Sequence, residues 1–147
     1  MRSASIALST IHEVRDSCLC LATQRAARRL ARRFDRAFKP VGLTNQQFSL
    51  LMPLNAPGPQ PMSALADLMG MDRTTLTAAL KALERRGLVE SGRDPDDRRI
   101  RRLTLTDAGR AALEAALPIW RAEHARIEQE ITPANAGALR AALRPIV

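Results

Sequence analysis

"DRTTLTAALKALERRGLVESGRDPDDRRIRRLTL", Asp72–Leu105, sets the reading of the whole chain. It opens as a helix. Asp72 is a good N-cap, Leu76, Leu80 and Leu83 recur at helical spacing, and Gly87 stands where a left-handed C-cap belongs. After Gly87 the period changes. "LVESG" reads as a strand, "RDPDD" as a turn built on Asp94 and Pro95, and "RRIRRLTL" as a returning strand. Ile100, Leu103 and Leu105 are its apolar members and are expected to tie the hairpin to the core. Their imperfect alternation allows a twist or bulge. Gly92–Leu105 holds three aspartates and five arginines, so the hairpin tip is too charged to be core.

Upstream, "MSALADLMG" reads as a short helix stopping at Gly70. Two helices joined by Gly70-Met71 and followed by a hairpin make a winged helix-turn-helix. The second helix turns its leucines inward and leaves Arg73, Thr74, Thr77, Ala78 and Lys81 outward. These side chains are short or cationic, so the backbone can lie deep in a major groove, where threonine and arginine read base edges. The positive end of the helix, at Asp72 and Arg73, favours phosphate. An ordinary amphipathic helix would show the same leucines, and the hairpin favours the DNA reading. A wing one strand beyond the recognition helix reaches the flanking minor groove, whose negative potential attracts inserted arginine. Asp97, two residues before Arg99, can hold that arginine by a charge-assisted hydrogen bond. Arg98 is the alternative insertion, and only the spacing from Asp97 favours Arg99. Arg93 and Arg98 suit flanking phosphates. A solvated loop with weak surface ion pairs is the competing account of the tip.

Outward from this centre, "NAPGPQP" (residues 55–61) reads as a loop. "LTNQQFSLLMPL" reads as a helix with a Thr44/Gln47 capping box and Phe48, Leu51 and Leu54 on one side. A longer helix spans about Asp16 to Lys39, ended by Pro40 and Gly42. Its apolar members include Leu19, Leu30, Phe34 and Phe38. Arg25, Arg28, Arg29, Arg32, Arg33 and Arg36 stripe the other side, which reads first as a solvated face. "MRSASIALST" is a frayed tail or a dimer arm. Thr106 and Asp107 begin a helix to about Gln129, which Pro118 should kink or break. A last helix has Thr132 as N-cap and Pro133 in its first turn. The fold class is mainly α with a small β-hairpin wing. The expected division is an N-terminal arm and dimerisation helix (1–40), a winged domain (41–106) and C-terminal dimerisation helices (107–147).

Composition points the same way. The 147 residues are 46% hydrophobic, enough for a core, and carry a net charge of +8, so a polyanion is the expected partner. Only Lys39 and Lys81 are lysines, and the rest of the positive charge is arginine, whose fork suits phosphate and base edges. An anionic membrane surface is the competing polyanion, but no run of about eighteen apolar residues exists to span a bilayer. Aromatics are 3% with no tyrosine, which argues against a stacking platform for single strands. His12 and His124 stand far apart, and no metal-ligand cluster, nucleophile elbow or phosphate loop appears. The chain therefore reads as neither an enzyme nor a metalloprotein, and no cofactor is expected. Cys18 and Cys20 make no disulfide framework, and the chain reads as cytoplasmic.

Residues 66–109 resemble the MarR family of bacterial winged-helix regulators. The strongest match is the wing signature Asp97-x-Arg99 followed by Leu105-Thr106, with "LERRGLV" before it. The helix order agrees over nearly the whole chain. The resemblance implies a homodimeric repressor on a pseudo-palindromic operator, with Arg99 in the minor groove, Asp97 as its holder and the helix from Arg73 as recognition helix. Dimerisation also has a physical motive, since Leu113, Leu117, Ile127, Leu139 and Leu143 are too many for a small winged domain to cover. Burial of those faces within one chain is the alternative.

The resemblance brings two release mechanisms. Cys20, with Cys18, matches the region where the hydroperoxide-sensing branch carries its reactive cysteine, although that branch's tyrosines are absent and Gln24 stands one turn on. A small buried hydrophobe at a dimer seam is the plainer reading. Other relatives bind small aromatic or phenolic anions in a crevice, which Phe34, Phe38, Phe48, Met52 and Trp120 would line here, with first-helix arginines on a carboxylate. Each of these is also an ordinary core or surface residue. A winged-helix protein–protein adaptor and a non-specific architectural DNA binder are the remaining alternatives.

Overall fold

The computed structural model describes residues 5–131 and 135–147. The chain divides into two compact units, Met1–Arg33 and Phe34–Val147. The first holds α1 (Leu8–Ser17) and most of α2 (Leu19–Phe38). The expected single helix from Asp16 is thus two, and the stretch read as a frayed tail or a dimer arm is helical from Leu8. The break falls at Cys18, whose backbone is extended (φ −74°, ψ 108°). Its N–H closes α1 on the Val14 carbonyl at 3.0 Å, and its Sγ accepts from the Leu21 N–H at 3.4 Å to open α2. No proline or glycine marks the spot, so composition does not signal it. Along α1, Leu8, Ile11 and Val14 form an exposed apolar row.

The second unit begins with the end of α2 and a 3-10 turn (Lys39–Val41) closed by Gly42 at φ +67°. Next come α3 (Asn45–Leu54), β1 (Gln60–Pro61), α4 (Met62–Met69), α5 (Arg73–Arg85), β2 (Val89–Arg93), β3 (Arg101–Leu105), α6 (Asp107–Glu130) and α7 (Ala136–Leu143). The capping box forms as read: Thr44 Oγ1 accepts from Gln47 N and Gln47 Oε1 from Thr44 N. Gly70 and Gly87, at φ +59° and +68°, end α4 and α5 in the left-handed region that a Cβ disfavours. Leu76, Leu80 and Leu83 are fully buried and join Leu50, Leu51, Leu103 and Leu105 in one core.

The wing is wider than the expected hairpin. Its sheet has three antiparallel strands in the order β1-β3-β2, with Gln60 opposite Leu103 and Val89 opposite Leu105. The breaker stretch 55–61 therefore ends in a short strand. The return strand starts at Arg101 rather than Arg98, and Ile100, 40% exposed in the turn, does not tie the hairpin to the core. Leu103, Leu105 and Val89 do.

Helix α6 runs unbroken through Pro118. Thr106 caps it by accepting from Gly109 N at 3.0 Å, and Thr106 Oγ1 donates to the Gly87 carbonyl at 2.7 Å. Leu113 and Ile127 are buried within the chain itself, so they do not await a partner, whereas Leu139 stays 45% exposed. The last helix is capped by Asn135, which accepts from Ala138 N. Thr132 and Pro133, expected to open it, lie outside the described residues.

Candidate nucleic-acid interface

Helix α5 and the wing enclose a concavity of about 500 Å³. Arg73, Thr74, Thr77, Ala78 and Lys81 form its helical wall, Arg93, Arg99 and Arg101 its wing wall, and Met62 completes the lining. All five residues singled out on the helix thus meet two of the wing residues. Arg98 and Asp97 are not among the lining residues. Five cations and no carboxylate line the space, so its potential is strongly positive. No ion pair engages Arg73, Lys81 or Arg93 among the described residues.

The helical wall is shaped for close approach. Thr77 Oγ1 donates to the Arg73 carbonyl at 2.7 Å, which leaves the oxygen as an acceptor toward the concavity. Asp72 caps the helix, accepting from Thr75 N at 2.8 Å and Thr75 Oγ1 at 2.6 Å, and these bonds hold its carboxyl below the usual range. A capped terminus carrying a carboxylate is a poorer phosphate site than bare amides, so Arg73 is the better-placed group for phosphate.

On the wing, Asp97 Oδ1 accepts from Arg99 Nε at 3.1 Å and Oδ2 from Arg99 Nη2 at 3.0 Å, a bidentate fork. The Arg99 N–H donates to the same Oδ1 at 3.0 Å. The guanidinium holds Asp97 below the usual carboxylate range, yet the Arg99 side chain remains 90% exposed. Arg99 is thus aimed and accessible together.

Two supporting contacts were not legible in the sequence. Arg101 Nη2 donates to Glu84 Oε1 at 2.7 Å and Ser91 Oγ at 2.9 Å, bridging α5 to the wing. Arg102 pairs with Asp94 on the opposite face of β3, and Asp94 is buried rather than a simple exposed turn residue. Both contacts depend on strand register, which residue spacing does not reveal.

The proposed crevice residues divide. Phe48, Met52 and Trp120 line a cleft of about 590 Å³ with Ser49, Pro53, Leu68, Met69 and Leu117. Phe34 and Phe38 are instead buried in the core, in an aromatic row with Phe48. No charged side chain lines the cleft. Trp120 also contacts the ring of His124 at 4.8 Å. In the first unit, Cys20 is exposed and its Sγ accepts from Gln24 Nε2 at 3.1 Å, while Cys18 is half-buried at the helix break. Among the described residues no cluster could hold a metal ion, and no helix is long and apolar enough to cross a membrane.

The profile of the MarR family matches residues 43–100. The transcriptional regulator MosR of M. tuberculosis, solved in complex with DNA, is 39% identical, with a TM-score of 0.80 over 88% of this chain and 93% of that one. The transcriptional repressor CouR bound to a 23-mer DNA duplex is 34% identical, with a TM-score of 0.78 over 97% of this chain and 99% of that one. CouR has also been solved with p-coumaroyl-CoA, at 31% identity, a TM-score of 0.78 and 97% of each chain. The HTH-type transcriptional repressor NicR of Pseudomonas putida is 35% identical over 79 residues, 54% of this chain and 50% of that protein. The match therefore spans about half the length of that curated relative.

Proposed function

The chain belongs to the MarR family, and from that premise we propose that it is a sequence-specific regulator of transcription that binds double-stranded DNA as a homodimer and represses by occluding its operator. The observation that carries this is the single positive concavity joining the outer face of α5 to Arg93 and Arg99. In this reading Arg73, Thr74, Thr77, Ala78 and Lys81 enter the major groove, Arg99 the minor groove, and Arg93 and Arg98 contact phosphate. Residues 41–106 are the DNA-binding domain, and 1–40 and 107–147 pair the two copies. The exposed row on α1 and the exposed Leu139 support such a seam. The protein acts in the cytoplasm, without catalysis.

The test is selection of duplexes from a randomised library, then titration with the Arg73→Ala/Arg99→Ala variant. We expect wild type to prefer the selected duplex and the variant to lose about 100-fold or more. Equal binding by the variant would transfer the function to a protein–protein adaptor. Wild-type binding that is steeply salt-dependent but indifferent to sequence would make it an architectural protein. Light scattering at micromolar concentration tests the dimer, and a monomer would defeat it.

Release by a small aromatic or phenolic molecule in the Trp120 cleft is the favoured control. The cleft's lack of charge suits the ring of such a ligand, so a carboxylate or other charged group would sit at or beyond the mouth. Oxidation of Cys20 is the second reading, favoured by its exposure and its contact with Gln24. In that case Cys20→Ser abolishes release by organic hydroperoxide, and unchanged release would reject it.

A further inference from the structure

The wing tip is organised around one buried carboxylate. Asp94 Oδ1 accepts the backbone N–H groups of Asp96 at 2.8 Å and Asp97 at 3.0 Å. Asp94 Oδ2 accepts from Arg102 Nε. The Asp94 N–H closes the loop on the Ile100 carbonyl at 2.9 Å, and the Ile100 N–H returns to the Asp97 carbonyl at 2.9 Å. Arg102 in turn donates from Nη1 to the carbonyl of Pro59 at 3.2 Å, just before β1. A continuous polar path thus runs from the chain ahead of α4, through Arg102 and Asp94, to the amide of Asp97. Asp97 is the residue that grips Arg99.

An aspartate on a surface that meets DNA is electrostatically unfavourable, since it repels phosphate. Asp94 is nevertheless 4% exposed and fully engaged, as a group kept for geometry would be. Arg102 lies on the face of β3 away from the concavity: its neighbour Arg101 lines that space and Arg102 does not. With its head on Asp94 and Pro59, it is committed to protein rather than to phosphate.

We propose that Asp94 and Arg102 are positioning residues for Arg99: they fix the loop that carries Asp97, and so set where the minor-groove arginine stands before DNA arrives. This rests on the DNA-binding reading above. Without the pair, Arg99 keeps its charge, but Asp97 is no longer held where it grips the Arg99 Nε–H, and ordering the arginine becomes a cost of binding.

The experiment measures binding of Asp94→Ala, Asp94→Asn, Arg102→Ala and the Asp94→Ala/Arg102→Ala double variant to the duplex selected by wild type and to an unrelated duplex, across a salt series. We expect Asp94→Ala and Arg102→Ala each to weaken the selected duplex about three- to tenfold. The double variant should be little worse than either, because both break one path. Asp94→Asn, which keeps an acceptor for the two amides, should lose less. The slope of log affinity against log salt should stay at the wild-type value, and unrelated DNA should bind Asp94→Ala as well as wild type or better. In DNA-free protein, the Nε–H proton resonance of Arg99 should lose its hydrogen-bonded shift in Arg102→Ala, with thermal unfolding confirming that the variants fold. Unchanged or tighter binding of the selected duplex by Asp94→Ala would overturn the proposal. So would a salt slope reduced by about 0.9 in Arg102→Ala, which marks a lost phosphate contact, or an unaltered Arg99 resonance. If wild type selects no duplex, the DNA reading fails and this proposal with it. If wild type selects and the variants match it, this proposal alone fails.

Discussion

Arg101 Nη2 sits 2.7 Å from Glu84 Oε1, joining the first residue of β3 to the last turn of α5. Both side chains are less than a third exposed, so the pair is better shielded than most surface ion pairs. It ties the wing directly to that helix. Arg101→Ala should cost stability only about 1 kcal/mol or less, yet weaken the selected duplex about tenfold. Parallel urea unfolding and DNA titration check this, and equal small losses in both would deny the bridge a role in binding.

Acid should loosen these locks. Arg102 and the amides of Asp97 and Asp96 hold the Asp94 carboxyl below its ordinary 3.8. Burial pushes Glu84 up, but bonds from Ser91 and Arg101 outweigh it and leave the carboxyl below 4.5. Carboxyls lowered in the folded state contribute stability above their unfolded values and lose it as pH falls through the folded ones. Thermal stability attributable to these groups should therefore hold from neutrality to about pH 4.5 and fall below it. Glu84→Gln should flatten part of that fall, and an unchanged acid limb in the variant would count against the assignment.

Arg98 and Arg99 should separate cleanly. Arg99 lines the concavity and Arg98 does not. Arg99→Ala should lower affinity for the selected duplex about 10- to 100-fold and relax base preference at one flank. Arg98→Ala should weaken all duplexes alike and reduce the salt slope by about 0.9. The reverse pattern would exchange their roles.

Trp120 is the one tryptophan of the chain and lines the cleft, so it reports on occupancy directly. A small phenolic ligand should change its fluorescence with a midpoint matching DNA release. Met52 lines the same cleft and is 39% exposed, so a larger side chain there has room to turn outward. Met52→Arg should abolish both responses while leaving ligand-free DNA binding intact. Release persisting in this variant would put the effector elsewhere.

Gly109 packs against the chain leaving α5. A Cβ there would meet the Leu88 carbonyl oxygen at 2.2 Å and Leu105 Cδ1 at 2.7 Å. Gly109→Ala should destabilise by about 1–3 kcal/mol, read as a lower urea midpoint. An unchanged midpoint would mean that the junction yields.

The parts legible in the sequence are those whose cause is local. Thr44 with Gln47, Asp72 before its leucines, Gly70 and Gly87 at helix ends, and Asp97 two residues before Arg99 all act within one turn of backbone. The unread parts depend on distant partners. Strand β1 exists because Gln60 meets Leu103, and Arg102 reaches Pro59 forty-three residues back. Ile100 is apolar but falls in the turn, so its exposure follows from register rather than hydrophobicity. The junction at Cys18 uses a thiol as cap, a role that no spacing rule assigns to it.

The bracing of the wing from behind has an evolutionary corollary. Arg102 and Asp94 hold the tip from the side away from α5, and Glu84 meets Arg101 beyond the outward residues of that helix. Arg73, Thr74, Thr77, Ala78 and Lys81 can therefore be exchanged without moving Arg99. Under the proposed docking, with the α5 face in the major groove and Arg99 in the minor groove, the two would be separable inheritances: lineages could acquire new operators by drift along one helix face while the grip on the flanks persists.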